Sequence, residues 1–240
     1  GELEAARNFA EERLGVTQAL GRFDKVASAT NALAEIHRRA GNLIRAKALS
    51  EESVALARPH GGLALEAALS NHGTLMEQMG ELDAAEQLWQ EALRIVRELD
   101  QRDAIGIELY NLGGLALDRG EIGHAETLLV ESLQLAREVS RLALQAACMR
   151  GLSGVASARG STDRAVRLVA AAGNLRGSDG MIEFGLERLR TERAIAAARA
   201  AVDEETFDRL WHEGEQLGRE AAIAYALNES TLPEAPVSAP

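Results

Sequence analysis

Apolar residues in this chain recur three and four positions apart, in blocks that themselves recur. Leu88, Ala92 and Ile95 form one such stripe, and Leu128, Ser132 and Leu135 occupy the same places 40 residues later. That spacing puts each set on one face of an α-helix, since strand faces alternate with a period of two. The breaks between stripes are regular as well. A Gly-x-x-x-x-Ala hexapeptide stands at Gly1, Gly41, Gly80, Gly120 and Gly160, at intervals of 40, 39, 40 and 40 residues.

Other positions keep step with the glycine. Seven residues before it stand Ala34, Gly73, Gly113 and Ser153, all small, and five before it Ile36, Leu75, Leu115 and Val155, all aliphatic. Five after it stand Ala46, Ala85, Ala125 and Ala165, and eight after it Leu49, Leu88, Leu128 and Leu168. The small residue and the Ala face each other across two helices that only small side chains allow to pack closely. The Gly between them ends the first helix, because it enters the left-handed conformation that satisfies orphan carbonyls. A helix pair of this kind cannot bury both faces alone, so consecutive pairs stack.

These observations predict an all-α fold: a right-handed superhelical solenoid of antiparallel helix pairs with a C-terminal helical cap. Composition agrees. Hydrophobic residues make up 46% of the 240 and aromatics 3%, so Ala, Leu, Val and Ile must build the core. Of four prolines only Pro59 interrupts the body, the others (Pro233, Pro236, Pro240) lying near the C-terminus.

On these residues the chain resembles the tetratricopeptide repeat, with small residue, turn Gly and Ala at the family's spacing and Trp89 at its large-residue position in the second helix. It departs in period, about 40 against the roughly 34 residues usual for the family. The extra residues are expected to lengthen both the helices and the links between pairs, as in "RIVRELDQRDAIGIEL" and "QLAREVSRLALQAA". Such a resemblance implies a partner-binding module, not an enzyme.

The ends read differently from the middle. Gly1 is in register with the turn glycines, so the first pair is expected to lack its first helix and the chain to be a fragment of a longer polypeptide. Repeats are assigned to residues 1–176, capping helices to 177–228 (about 182–200, 203–216 and 219–228, with Asp203 as an N-cap), and a flexible Pro/Ser/Ala-rich tail to 229–240. The stretch holding Phe207, Trp211, Glu213, Gly214, Leu217, Glu220, Ala221 and Ile223 is similar to the C-terminal end of helical repeat regions in large bacterial regulators. In those, an ATPase precedes the repeats and a LuxR-type helix-turn-helix domain often follows. The resemblance implies the sensing arm of a transcription regulator or signalling ATPase, although Gly218 replaces the Ser or Thr expected to cap the last helix.

Little in the sequence suggests chemistry. A net charge of −11 argues against a nucleic-acid surface, which needs clustered Lys and Arg. No phosphate loop, HxxxH or HExxH pattern occurs, and no cofactor or metal is expected. Cys148, the one cysteine, reads as a small buried hydrophobe, Trp89 and Trp211 as core anchors, and the carboxylates mostly as helical surface charge. With no membrane span or leader evident, the expected location is cytoplasmic.

The informative surface is the concave groove that such arrays line with the first helix of each pair. Counting back from each turn glycine places Asn31, Glu35, Arg38, Ser70, Asn71, Thr74, Glu77, Tyr110, Asn111 and Arg150 there. This mixed polar list suits a protein, an extended peptide, a partner helix or a small-molecule effector. Matched Lys and Arg at successive inner positions are missing, which disfavours the family's carboxylate-clamp mode. The alternative is a freestanding adaptor or a self-assembling scaffold, in which copies pair through the open half-repeat.

Overall fold

A computed structural model describes residues 2–20, 23–175 and 186–228. The turn position at Gly1, the separating segment 176–185 and the tail 229–240 lie outside the described residues. All twelve elements among those described are α-helices, and the fold is an all-α helical repeat. The chain divides into two compact units, Gly1–Leu115 and Ala116–Pro240.

The first unit holds α1 (Glu2–Ala19), α2 (Phe23–Arg39), α3 (Leu43–Ala57), α4 (Gly62–Gln78), α5 (Leu82–Glu98) and most of α6 (Arg102–Asp118). The turn glycines separate first helices α2 and α4 from second helices α3 and α5. Ala27, Leu65, Ala68, Leu69, Ala92 and Ile95 form one buried cluster across these helices. Gly73 marks the closest approach within a pair: a Cβ there would lie 2.5 Å from Trp89 Nε1. Trp89 is 1% exposed, and its indole N–H donates to the Ser70 carbonyl at 3.1 Å, so it is the core anchor its position suggested.

The second unit continues with α7 (Ile122–Glu138), α8 (Leu142–Ala158) and α9 (Thr162–Asn174), then α10 (Leu186–Ala201), α11 (Glu204–Glu215) and α12 (Arg219–Ala226). Ser153, at the small position, donates its hydroxyl to the carbonyl of Ala165, the facing Ala, at 2.7 Å. The last three helices pack on α8 and α9. Phe207 and Leu210 bury against Val166 and Ala198, and Gly214 lets α11 approach so closely that a Cβ would meet the Arg167 carbonyl at 2.5 Å. Asp203 caps α11, accepting from the Thr206 amide at 2.8 Å, whereas Gly218 caps α12 with no side-chain bond.

The period is explained differently from the expectation. Helices α4 to α8 are each 17 residues long and are joined by turns of three, so the links between pairs are no longer than the turns within them. The extra residues lie in the helices alone. Every such turn closes in one way: the Gly80 amide donates to the Glu77 carbonyl at 3.0 Å and the Glu81 amide to that of Met76 at 2.8 Å, as do Ser140 to Arg137 at 3.1 Å and Arg141 to Ala136 at 2.8 Å. This is the Schellman arrangement, which needs a left-handed residue. Gly80 supplies it within a pair at φ 82°, but Asp100 and Ser140 supply it between pairs at 50° and 55°.

Candidate binding face

In the first unit, the first helices carry all but one of the residues assigned to the groove: Asn31, Glu35 and Arg38 on α2, Ser70, Asn71, Thr74 and Glu77 on α4, and Tyr110 and Asn111 on α6. Arg150, half-buried on α8, belongs to the second unit. Asn31, Asn71, Thr74, Tyr110 and Asn111 are half-buried, while Ser70 and Glu77 are nearly covered, at 9% and 8% exposure.

Two side chains tie α2 to α4. Asn31 donates from Nδ2 to the Ala67 carbonyl at 3.4 Å, leaving its own amide oxygen buried with no hydrogen-bond partner. Arg38 donates to the Gln78 amide oxygen at 3.0 Å and, through Nε and Nη2, to both oxygens of Glu35 at 2.7 and 2.8 Å. Burial pushes the Glu35 carboxyl up, but the hydrogen bonds and charges of Arg38 and Arg39 outweigh it and hold it below the usual carboxylate value. Glu35 and Arg38 are thus already spent on each other, which makes them a brace between helices more than a free contact. On α4, Thr74 donates to the Ser70 carbonyl at 3.1 Å.

Beside this row lies a pair of acids absent from the sequence-based list. Glu108 on α6 is 0% exposed, Glu66 on α4 is 9% exposed, and neither Glu108 oxygen has a partner at hydrogen-bonding geometry. Burial pushes the Glu108 carboxyl up to about 8; the Ser70 hydroxyl pulls against it, the Glu66 charge adds to the rise, and Asn111 opposes it in turn. Burial likewise raises Glu66, the Glu108 side chain pulling it down and the Asp103 charge adding to the rise. Glu108 therefore leans toward the protonated form, as a buried carboxyl without a cation must.

The signal that could have found Glu108 was in the register. Twelve residues before each turn glycine stand Ala29, Ala68, Glu108 and Cys148, and all four are fully buried. A carboxylate at a position otherwise held by Ala and Cys is not surface charge. Among the described residues, no group of His, Cys, Asp or Glu is placed to hold a metal ion, and no helix is long and apolar enough to cross a membrane.

The tetratricopeptide repeat model matches residues 25–98 and 64–138 in two overlapping windows. That stretch is a tetratricopeptide-like repeat region, and repeats of this type generally mediate protein–protein interaction. Among curated proteins, no sequence matches this chain. Among solved structures, the chain is similar to BtubC (BKLC) from P. vanneervenii, at 19% sequence identity and a TM-score of 0.66, over 100% of this chain and 97% of that one. At that identity the likeness speaks to the fold alone.

Proposed function

We propose that the row of first helices in the repeat region binds a protein or peptide partner. In this reading the chain is the sensing or interaction arm of a larger cytoplasmic bacterial transcription regulator or signalling ATPase. The observation that carries the binding claim is unused hydrogen-bonding capacity on helices that already meet their packing needs: the buried Asn31 oxygen lacks a partner. Buried polar groups are seldom left so, because each costs about 1–3 kcal/mol. A partner backbone along α2 and α4 would satisfy the Asn31 oxygen, with Asn71 on the neighbouring helix.

The regulator context is supported by the resemblance of the C-terminal stretch around Phe207, Trp211 and Glu213. Binding to the row would favour one arrangement of the stacked pairs over another and so bias the state of the parent protein. A photo-crosslinking residue at Asn71 of the native gene product tests the reading in cells. Capture of one partner is expected, lost at least tenfold when Asn31→Ala and Asn111→Ala are added without a change in thermal melting. Capture that is unchanged by those substitutions would overturn it.

A further inference from the structure

In the second unit, helix α10 does not extend the stack of pairs but lies across it. One face of α10, holding Arg190, Thr191, Ala194, Ile195 and Ala198, is partly or fully buried, while Leu189, Glu192 and Arg193 on the other side are exposed. Towards its C-terminal end, Ile195 and Ala198 cluster with Val166 of α9 and with Phe207 and Leu210 of α11. Towards its other end, Arg190 reaches past α8 to α6, donating from Nε to both oxygens of Asp118 at 3.2 and 3.1 Å and from Nη2 to one of them. Helix α8 lies under α10 and against the end of α6, where a Cβ on Gly154 would meet Leu117 at 2.7 Å.

The repeat register says which surface this is. Asp118 stands two residues before its turn glycine, the place that Gln78 holds in the first unit. There Gln78 accepts from Arg38 of the preceding first helix, within the row assigned to binding. For Asp118 the arginine comes from α10 instead. The surface made by α8 and the end of α6 thus already holds a helix, and that helix shows what fits: a guanidinium forked onto a carboxylate, then small side chains that let the helix axes approach.

The hold on α10 is slight. Ala198 is the one buried side chain among residues 188–201, so little apolar surface leaves water. Arg190 and Asp118 keep 19% and 31% of their side-chain surface exposed, where an ion pair adds little. Helix α11, by contrast, buries Phe207 and Leu210 and is keyed to Arg167 at Gly214.

We propose that α8 and the end of α6 form a helix-binding site, filled at rest by α10 and taken over by a partner helix bearing the pattern Arg-x-x-x-Ala-Ile-x-x-Ala. Resting on the reading of first helices as the binding surface, this gives the partner its chemistry: an amphipathic helix with a small-residue stripe and an arginine one turn ahead of it. Local opening of α10, with the repeats still folded, makes the exchange.

Two experiments on the full 240-residue chain test this. In hydrogen exchange of the wild type, α10 amides should exchange at least a hundredfold faster than those of α8 and α9. Equal protection would make α10 a fixed cap and overturn the proposal. The second uses a fluorescein-labelled peptide of residues 186–202, read by fluorescence anisotropy. Arg190→Ala in the chain weakens the resident helix and should raise affinity for the peptide at least tenfold over wild type. Adding Asp118→Ala should abolish that gain, because the peptide's own arginine then has no acid to meet. A peptide with Ala194→Trp keeps its charge and should bind at least tenfold more weakly. No gain with Arg190→Ala, or a gain that survives Asp118→Ala, would overturn the proposal. Crosslinking from Asn71 in the first unit is read separately, so the site and the binding row can fail independently.

Discussion

Glu108 in the first unit and Cys148 in the second stand 40 residues apart in the same place of the repeat, both with no exposed surface. Their surroundings diverge. The Cys148 thiol lies 3.1 Å from the Ser132 hydroxyl and behaves as a small, satisfied hydrophobe. The Glu108 carboxyl faces a second acid, Glu66, and burial pushes it up. A repeat register therefore dictates depth without dictating chemistry, and one helix pair holds a polar group where its neighbour holds none.

Moving the acid into the other unit should have the largest effect. Cys148→Glu buries a carboxyl in a fully covered site beside the Ser132 hydroxyl, and a loss of about 4 kcal/mol is expected in urea unfolding at pH 7. A loss below about 1 kcal/mol would show that this depth tolerates an acid in any pair.

Removing the acid from its own unit acts through pH. The folded-state value of Glu108 is about 8, above the ordinary carboxylate value of 4.5, so the folded chain keeps a proton that the unfolded chain releases. Its contribution to stability is therefore full below about pH 4.5 and is lost as pH rises through about 8. Glu108→Gln should shrink the fall in unfolding free energy between pH 5 and pH 9 by on the order of 3 kcal/mol. Parallel pH profiles for the two proteins would mean the carboxyl is solvated in solution.

The turns between pairs allow a finer test in both units. Asp100 and Ser140 occupy left-handed backbone that favours glycine. Asp100→Gly and Ser140→Gly should each raise stability by about 0.5–1 kcal/mol, equally in the two units, as measured by thermal melting. Smallest is Ser132→Ala, which removes the contact to Cys148 and should cost about 0.5 kcal/mol, since a thiol is a weak partner.

Much of the fold was legible because glycine at φ near 80° and alanine at a helix contact are residue types with few substitutes. The turns at Gly41, Gly80, Gly120 and Gly160 all adopt the left-handed conformation their spacing implied. The turns at Asp100 and Ser140 were not legible, because neither residue announces that backbone, and the links were consequently read as longer than they are. The cap at Asp203 was visible as an acid ahead of two more. Glu66 and Glu108 were passed over because a glutamate in a helix is usually solvated, and only alignment of the repeats against one another exposes them. Trp211 is a partial case: it stacks on Phe207 at 5.6 Å but stays half-exposed, its indole N–H donating to Glu215.

The uniform turns also make the chain divisible. Gly80–Glu81 and Gly120–Glu121 are the same dipeptide at the same point of the same turn, so excising residues 81–120 would splice α4 to α7 with the junction chemistry intact. What would not survive is the lock inside the pair. Gly73 would lose the indole it was shaped to admit and meet Leu129 instead, leaving a hollow. Modules of this chain are interchangeable in length and direction, but each second helix is keyed to its own first.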